Sequence, residues 1–262
     1  MNVKWQEIIL SVGGLISFLL LYKSVELAFQ YNTKEAQREP LFQIIYFMIV
    51  IGISVGINIF CKYSLDKEIN YSINFKTMSK IDGLKYIIPL LLFGNSFFVL
   101  IPDIFSQSVT FILASFFNAL GSAIFEETKD RGLVIRGLMV SFPDSEWKPL
   151  LVGVTSSLIS SLPHYINLLL PDSPTMNAVN QQVFYTFFCG MCLAVLVLRT
   201  NSIFFSILFH FINVFTVWSP TTNVVNSKSW VCIVLIYGYI PLGYSLWCLR
   251  PKLSKEILNI DK

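Results

Sequence analysis

Phe111-Ile-Leu-Ala-Ser-Phe-Phe-Asn-Ala-Leu-Gly-Ser-Ala-Ile-Phe125 runs almost wholly apolar into Glu126-Glu127-Thr-Lys-Asp-Arg131, after which Gly132-Leu-Val-Ile135 resumes apolar character. An apolar run of this kind, approaching the roughly 20 residues a spanning helix needs, belongs to a bilayer. Ionisable groups at that depth cost roughly 2.5–3.5 kcal/mol each on insertion scales, so they face an interior and mark function. The stretch therefore reads as a membrane helix that carries an acid pair and a base, and it sets the frame for the other runs.

Working outward, the chain of 262 residues is 54% hydrophobic and 13% charged. Similar runs recur at about 7–22, 41–61, 84–101, 107–125 (continuing past the acid pair), 149–170, 182–198, 202–218 and 230–249. Trp5, Trp147, Trp218, Trp230 and Trp247 lie near run ends, where aromatic rings anchor at the interface. The expectation is all-α: a polytopic membrane helical bundle of about eight transmembrane helices, forming a single membrane domain over 1–262. Under that count, fifteen of the nineteen Lys and Arg residues fall on one side, which the positive-inside rule makes cytoplasmic, with both termini. The first run lacks a small-residue cleavage site and reads as an uncleaved span. A net charge of +3, accounted for by loop lysines and arginines, gives no argument for nucleic acid as a partner.

The charge-rich segment 62–85 reads as a solvated connector, and 171–181, with two prolines, as an ordinary loop. Cys61, Cys189, Cys192, Cys232 and Cys248 lie in or beside apolar runs. Cys189-Gly-Met-Cys192 has redox-motif spacing without a thioredoxin-like context, so the cysteines read as small buried side chains.

On a helix, Glu127 and Arg131 are four residues apart with the acid first, the favourable order for a pair. Glu126 points about 100° away and is left as a carboxylate able to act as general base. The competing reading is a helix leaving the bilayer, which Lys129 and Asp130 favour by looking interfacial. The two histidines also fall inside apolar runs. His164 follows Pro163, whose ring removes a backbone hydrogen bond and opens the helix. His210 shares a helical face with Ser206 and Asn213. Either histidine alone fits an interhelical strut, but two of them with an acid pair on a third span point to a site. Those groups permit catalytic zinc, since two histidines and a carboxylate form a legitimate ligand set. They equally permit a metal-free site, with Glu126 and His164 activating water and His210 with an amide stabilising an oxyanion. The absence of His-Glu-x-x-His favours the metal-free version, with no cofactor.

Glu126-Glu127-Thr-Lys-Asp-Arg131, His164 and His210 resemble the motifs of the CPBP membrane proteins, which comprise CAAX-type proteases and bacteriocin-processing or immunity (Abi) proteins. Those motifs are Glu-Glu-x-x-x-Arg, Phe-x-x-x-His and His-x-x-x-Asn on successive membrane helices. The first is matched in full. Ser160 stands where the second has phenylalanine, and Val214 occupies the asparagine position of the third, with Asn213 one residue earlier. The matched core covers about 110–220. The resemblance implies an intramembrane glutamate-type peptidase in which Glu126 and His164 activate water. His210 and Asn213 would form the oxyanion hole, and Glu127 with Arg131 would be a structural pair. Implied partners are a peptide or membrane-associated protein substrate and the lipid bilayer. Heavy use of Asn, Ile, Lys and Phe points to a bacterial chain, and for a bacterial member the resemblance implies a plasma-membrane protein that processes a peptide pheromone or bacteriocin, or confers immunity to one. The alternatives are a non-catalytic immunity or scaffold protein of the same fold and, ranked last, a proton-coupled transporter.

Overall fold

The computed structural model describes residues 5–31, 40–64, 68–72, 80–169, 174–217 and 229–251. Among these the protein is all-helical, and each apolar run falls on a helix. In chain order these are α1 (Trp5–Tyr31), α2 (Pro40–Ser64), α3 (Lys80–Phe105) and α4 (Val109–Ser141). Then come α5 (Lys148–Ser161, continuing as a 3-10 helix over Leu162–Leu169), α6 (Met176–Thr200), α7 (Phe204–Val217) and α8 (Trp230–Cys248). By length and composition α2, α4, α6 and α8 are each able to cross a membrane. The terminal residues that bear on orientation, Trp218, and much of the connector 62–85 lie outside the described residues.

The distribution of polarity inverts that of a water-soluble protein. Leu20, Met48, Leu91 and Val109 are exposed on the outer surface, whereas Glu127, Lys129, Asp130 and Arg131 are buried. Apolar side chains outward and charges inward is the arrangement a lipid solvent selects. The protein is membrane-embedded.

α4 is the axis of the bundle and packs most extensively on α2 and α7, while α5 packs on α6. Ser108 starts α4 as an N-cap, its hydroxyl accepting from the Phe111 N–H at 3.2 Å. An amide bridge from Asn118 to Gln43 (2.8 Å) ties α4 to α2 within the apolar region. Tyr22 stacks on Phe125 at 4.0 Å between centroids and its hydroxyl accepts from the Tyr46 hydroxyl at 2.8 Å, so the residue before the acid pair is clamped by α1 and α2.

Three features depart from the sequence expectation. Lys129 and Asp130 are interior, because α4 runs on for residues 128–141, roughly 21 Å beyond Glu127. That length places the acid pair well inside the helix and not at its end. The connector 62–85 is not solvated throughout. Ile69 is 2% accessible, and Asn70 accepts from the Ile203 N–H (2.9 Å) and donates to the Asn201 carbonyl (2.8 Å). Of the segment 171–181, residues 171–173 lie outside the described residues, and the rest is largely helical: Thr175 caps α6 by accepting from the Ala178 N–H (3.2 Å) and helix follows from Met176.

Candidate active site

Two local breaks in helix regularity flank the site, while His210 and Asn213 sit on the regular helix α7. In α4, Thr128–Val134 is a π-helix, a wider turn that occurs often at functional sites. Gly132 sits there because Ile69 leaves no room for a side chain, its Cδ1 lying 2.6 Å from where a Cβ would be. Tyr71 and Thr128 share a hydrogen bond of 3.2 Å, so segment 68–72 braces the π-helix from outside. In α5, the hydroxyls of Ser156, Ser157, Ser160 and Ser161 donate back to carbonyls three or four residues earlier. Such back-bonding bends helices. At Pro163 the α-helix yields to an eight-residue 3-10 helix that carries His164, longer than the three or four residues usual for that form.

The π-helix gathers a buried ion network. Arg131 Nη1 lies 3.3 Å from Glu127 Oε1 and 3.5 Å from Asp130 Oδ2, and Nη2 donates to the Gly190 carbonyl at 3.2 Å. Asp130 Oδ1 pairs with Lys129 Nζ at 2.7 Å. Gly190, the second residue of the Cys-Gly-Met-Cys stretch, is what lets α6 approach. A Cβ there would stand 3.0 Å from Arg131 Nη2 and 3.3 Å from Ser157 Oγ. The stretch that looks like a redox motif in sequence thus provides clearance for a guanidinium. Gly190→Ala is expected to push Arg131 off Glu127 and cost about 1–3 kcal/mol, the usual scale of overpacking. A thermal midpoint in detergent equal to that of wild type would show that the clearance is not needed.

Sequence reasoning named Glu126, Glu127, Arg131, His164, His210 and Asn213. The structure brings His210 to both acids: Nδ1 lies 2.7 Å from Glu127 Oε1, and Nε2 lies 3.8 Å from Glu126 Oε2. A carboxylate only accepts, so Nδ1 donates to Glu127 and the ring is fixed with Nε2 toward Glu126. The two acids differ in access: the Glu127 side chain is 0% accessible and the Glu126 side chain 30%. His164 makes no hydrogen bond among the described residues but stands within electrostatic reach of Glu126, Lys129 and Asp130. Lys23 of α1 acts on it as well. Asn213 lies one turn beyond His210, and its Oδ1 accepts from the Tyr185 hydroxyl of α6. Sequence reasoning missed Lys129, Asp130, Gly190 and Tyr185. The available signal was the charge density of the Lys129–Arg131 run, which fits burial as an ion network as readily as exposure.

Chemically, an accessible carboxylate beside an imidazole, backed by a fully buried acid–guanidinium pair, can take a proton from water and stabilise negative charge nearby. Among the described residues no group of three or more His, Cys, Asp or Glu side chains is disposed to hold a metal ion.

No curated protein and no solved structure matches the chain significantly. A family model described as Type II CAAX prenyl endopeptidase Rce1-like matches residues 108–216. That span holds α4 through nearly all of α7, and with them every residue of the acid, histidine and arginine cluster. Over residues 108–216 the chain is therefore similar to that CAAX protease family, and the match supports a peptidase.

Proposed function

We propose that the protein is an intramembrane, metal-independent endopeptidase that hydrolyses a short peptide or the tail of a membrane-associated protein. The observation that carries this reading is the division between the two adjacent acids. Glu127 is fully buried and committed to Arg131 and His210, while Glu126 is accessible with its carboxylate 3.8 Å from His210 Nε2. A separation above hydrogen-bond length leaves both groups able to contact one shared water.

In the proposed reaction Glu126, with His164 beside it, takes a proton from that water. The resulting hydroxide adds to the scissile carbonyl and forms a C–O bond. His210, carrying a proton at Nε2, and the Asn213 amide donate to the oxyanion. The tetrahedral intermediate collapses with cleavage of the C–N bond, and Glu126 returns its proton to the leaving amine. Arg131 does not touch the reacting atoms. It holds Glu127, which holds the His210 ring.

The context that best fits this chemistry is processing of a peptide pheromone or bacteriocin, or defence against one, at a bacterial plasma membrane. A second reading, a non-catalytic immunity or scaffold protein, is favoured by Ser160 and Val214 at two motif positions.

The test is purified protein in proteoliposomes with two internally quenched peptides. One carries a farnesylated cysteine in the CAAX arrangement and the other is its unprenylated counterpart. Cleavage of either, unchanged after treatment with EDTA or phenanthroline, is expected. Loss of activity on chelation, restored by zinc, would replace the water-activating pair with a metal. No cleavage of either peptide, with immunity intact in cells, would favour the second reading.

A further inference from the structure

We infer that Tyr185 is a positioning residue for the proposed hydrolysis, and that it orients Asn213 for the oxyanion. The inference rests on the peptidase reading above. Asn213 is three residues after His210, so the two share a helix face, but the asparagine is one residue short of the spacing in the motif it resembles. A carboxamide can present either its oxygen or its N–H₂ end to a reacting carbonyl. Only the N–H end stabilises an oxyanion.

Tyr185 settles which end is which. Its hydroxyl donates to Asn213 Oδ1, fixing the acceptor end toward α6 and the donor end away from it. The phenol is itself held from behind. Tyr237 meets it edge-to-face at 4.8 Å between centroids and comes from the π-helix Ile233–Tyr239 within α8. Next to Tyr237, Gly238 gives α8 its close approach to α6, because a Cβ there would lie 3.1 Å from Phe184 Cζ. A second widened helical turn therefore stands behind the amide, as the first stands behind the carboxylates.

The test is a double-mutant cycle on kcat and KM with whichever quenched peptide the wild type cleaves. Tyr185→Phe keeps the ring and its contact with Tyr237 and removes only the hydroxyl. It is expected to lower kcat by about tenfold with KM unchanged, the signature of an interaction made in the transition state. Asn213→Ala is expected to lower kcat by about 10²–10³-fold, as for one oxyanion donor. In the Asn213→Ala background, Tyr185→Phe should have no further effect. Full additivity, a wild-type kcat in Tyr185→Phe, or a change in KM alone would overturn the inference. Should Tyr185→Phe fail to insert, Asn213→Asp reads the same bond from the other side. It still accepts the tyrosine hydroxyl but has no N–H, so it should lose kcat as alanine does, and a retained rate would overturn the inference. Failure of the peptidase reading looks different: the wild-type protein would then cleave neither peptide.

Discussion

Glu126→Gln is expected to lower peptide hydrolysis by about 10²–10⁴-fold, the contribution of a positioned general base. The unfolding midpoint of the detergent-solubilised protein should stay where it is. The amide is nearly isosteric, so the 3.8 Å approach to His210 survives while the group loses its ability to accept a proton. The midpoint is expected to hold because Glu126 is not committed to an ion pair as Glu127 is: its side chain is 30% accessible and its imidazole neighbour lies beyond hydrogen-bond length. Both halves of the expectation matter. A dead enzyme that also melts early would make Glu126 a structural acid, and hydrolysis at the wild-type rate would remove it from the mechanism.

Arg131→Met should do the reverse and strike the fold first. The guanidinium contacts Glu127 at 3.3 Å, Asp130 at 3.5 Å and the Gly190 carbonyl at 3.2 Å, with its side chain 5% accessible. Methionine fills similar volume but leaves buried Glu127 without its guanidinium, while Asp130 keeps Lys129 at 2.7 Å. Removing one partner of a buried pair costs about 3–5 kcal/mol, mostly as the charge left behind. The double variant Glu127→Gln/Arg131→Met removes charge from both sides and should recover part of the loss, because residues in contact couple. Denaturant titration in detergent reads Arg131→Met, Glu127→Gln and the double variant against wild type. If Arg131→Met unfolds at the wild-type midpoint, the network is not holding α4. A double variant less stable than either single variant would mean that Glu127 acts chiefly through His210.

The helices were legible because lipid makes the hydrophobic run itself the signal: among the described residues, every run proposed from sequence falls on a helix. The acid pair, its arginine and the two histidines stood out because polar chemistry is rare in such runs. The local irregularities were not legible. A π-turn at Thr128–Val134 leaves no mark in composition, and its Gly132 is explained only by Ile69, which is distant in sequence. Lys129 and Asp130 looked interfacial because a one-dimensional reading cannot see that they neutralise one another at 2.7 Å in the interior. Asn213 could be placed on the His210 face, but the hydroxyl that orients it comes from another helix. Spacing along one helix carries no information about that partner.

The short irregular segment 68–72 has a practical consequence. Reporter fusions that map topology are routinely spliced into polar connectors, on the premise that such stretches tolerate insertion. Here the polar connector contains a wedge that sits under Gly132 and bonds to the turn between α6 and α7. A tag placed within it would report a location from a molecule whose α4 had lost its brace. Tags in the exposed turn at Asp144–Glu146, between α4 and α5, avoid that cost and leave the chemistry readable in the same preparation.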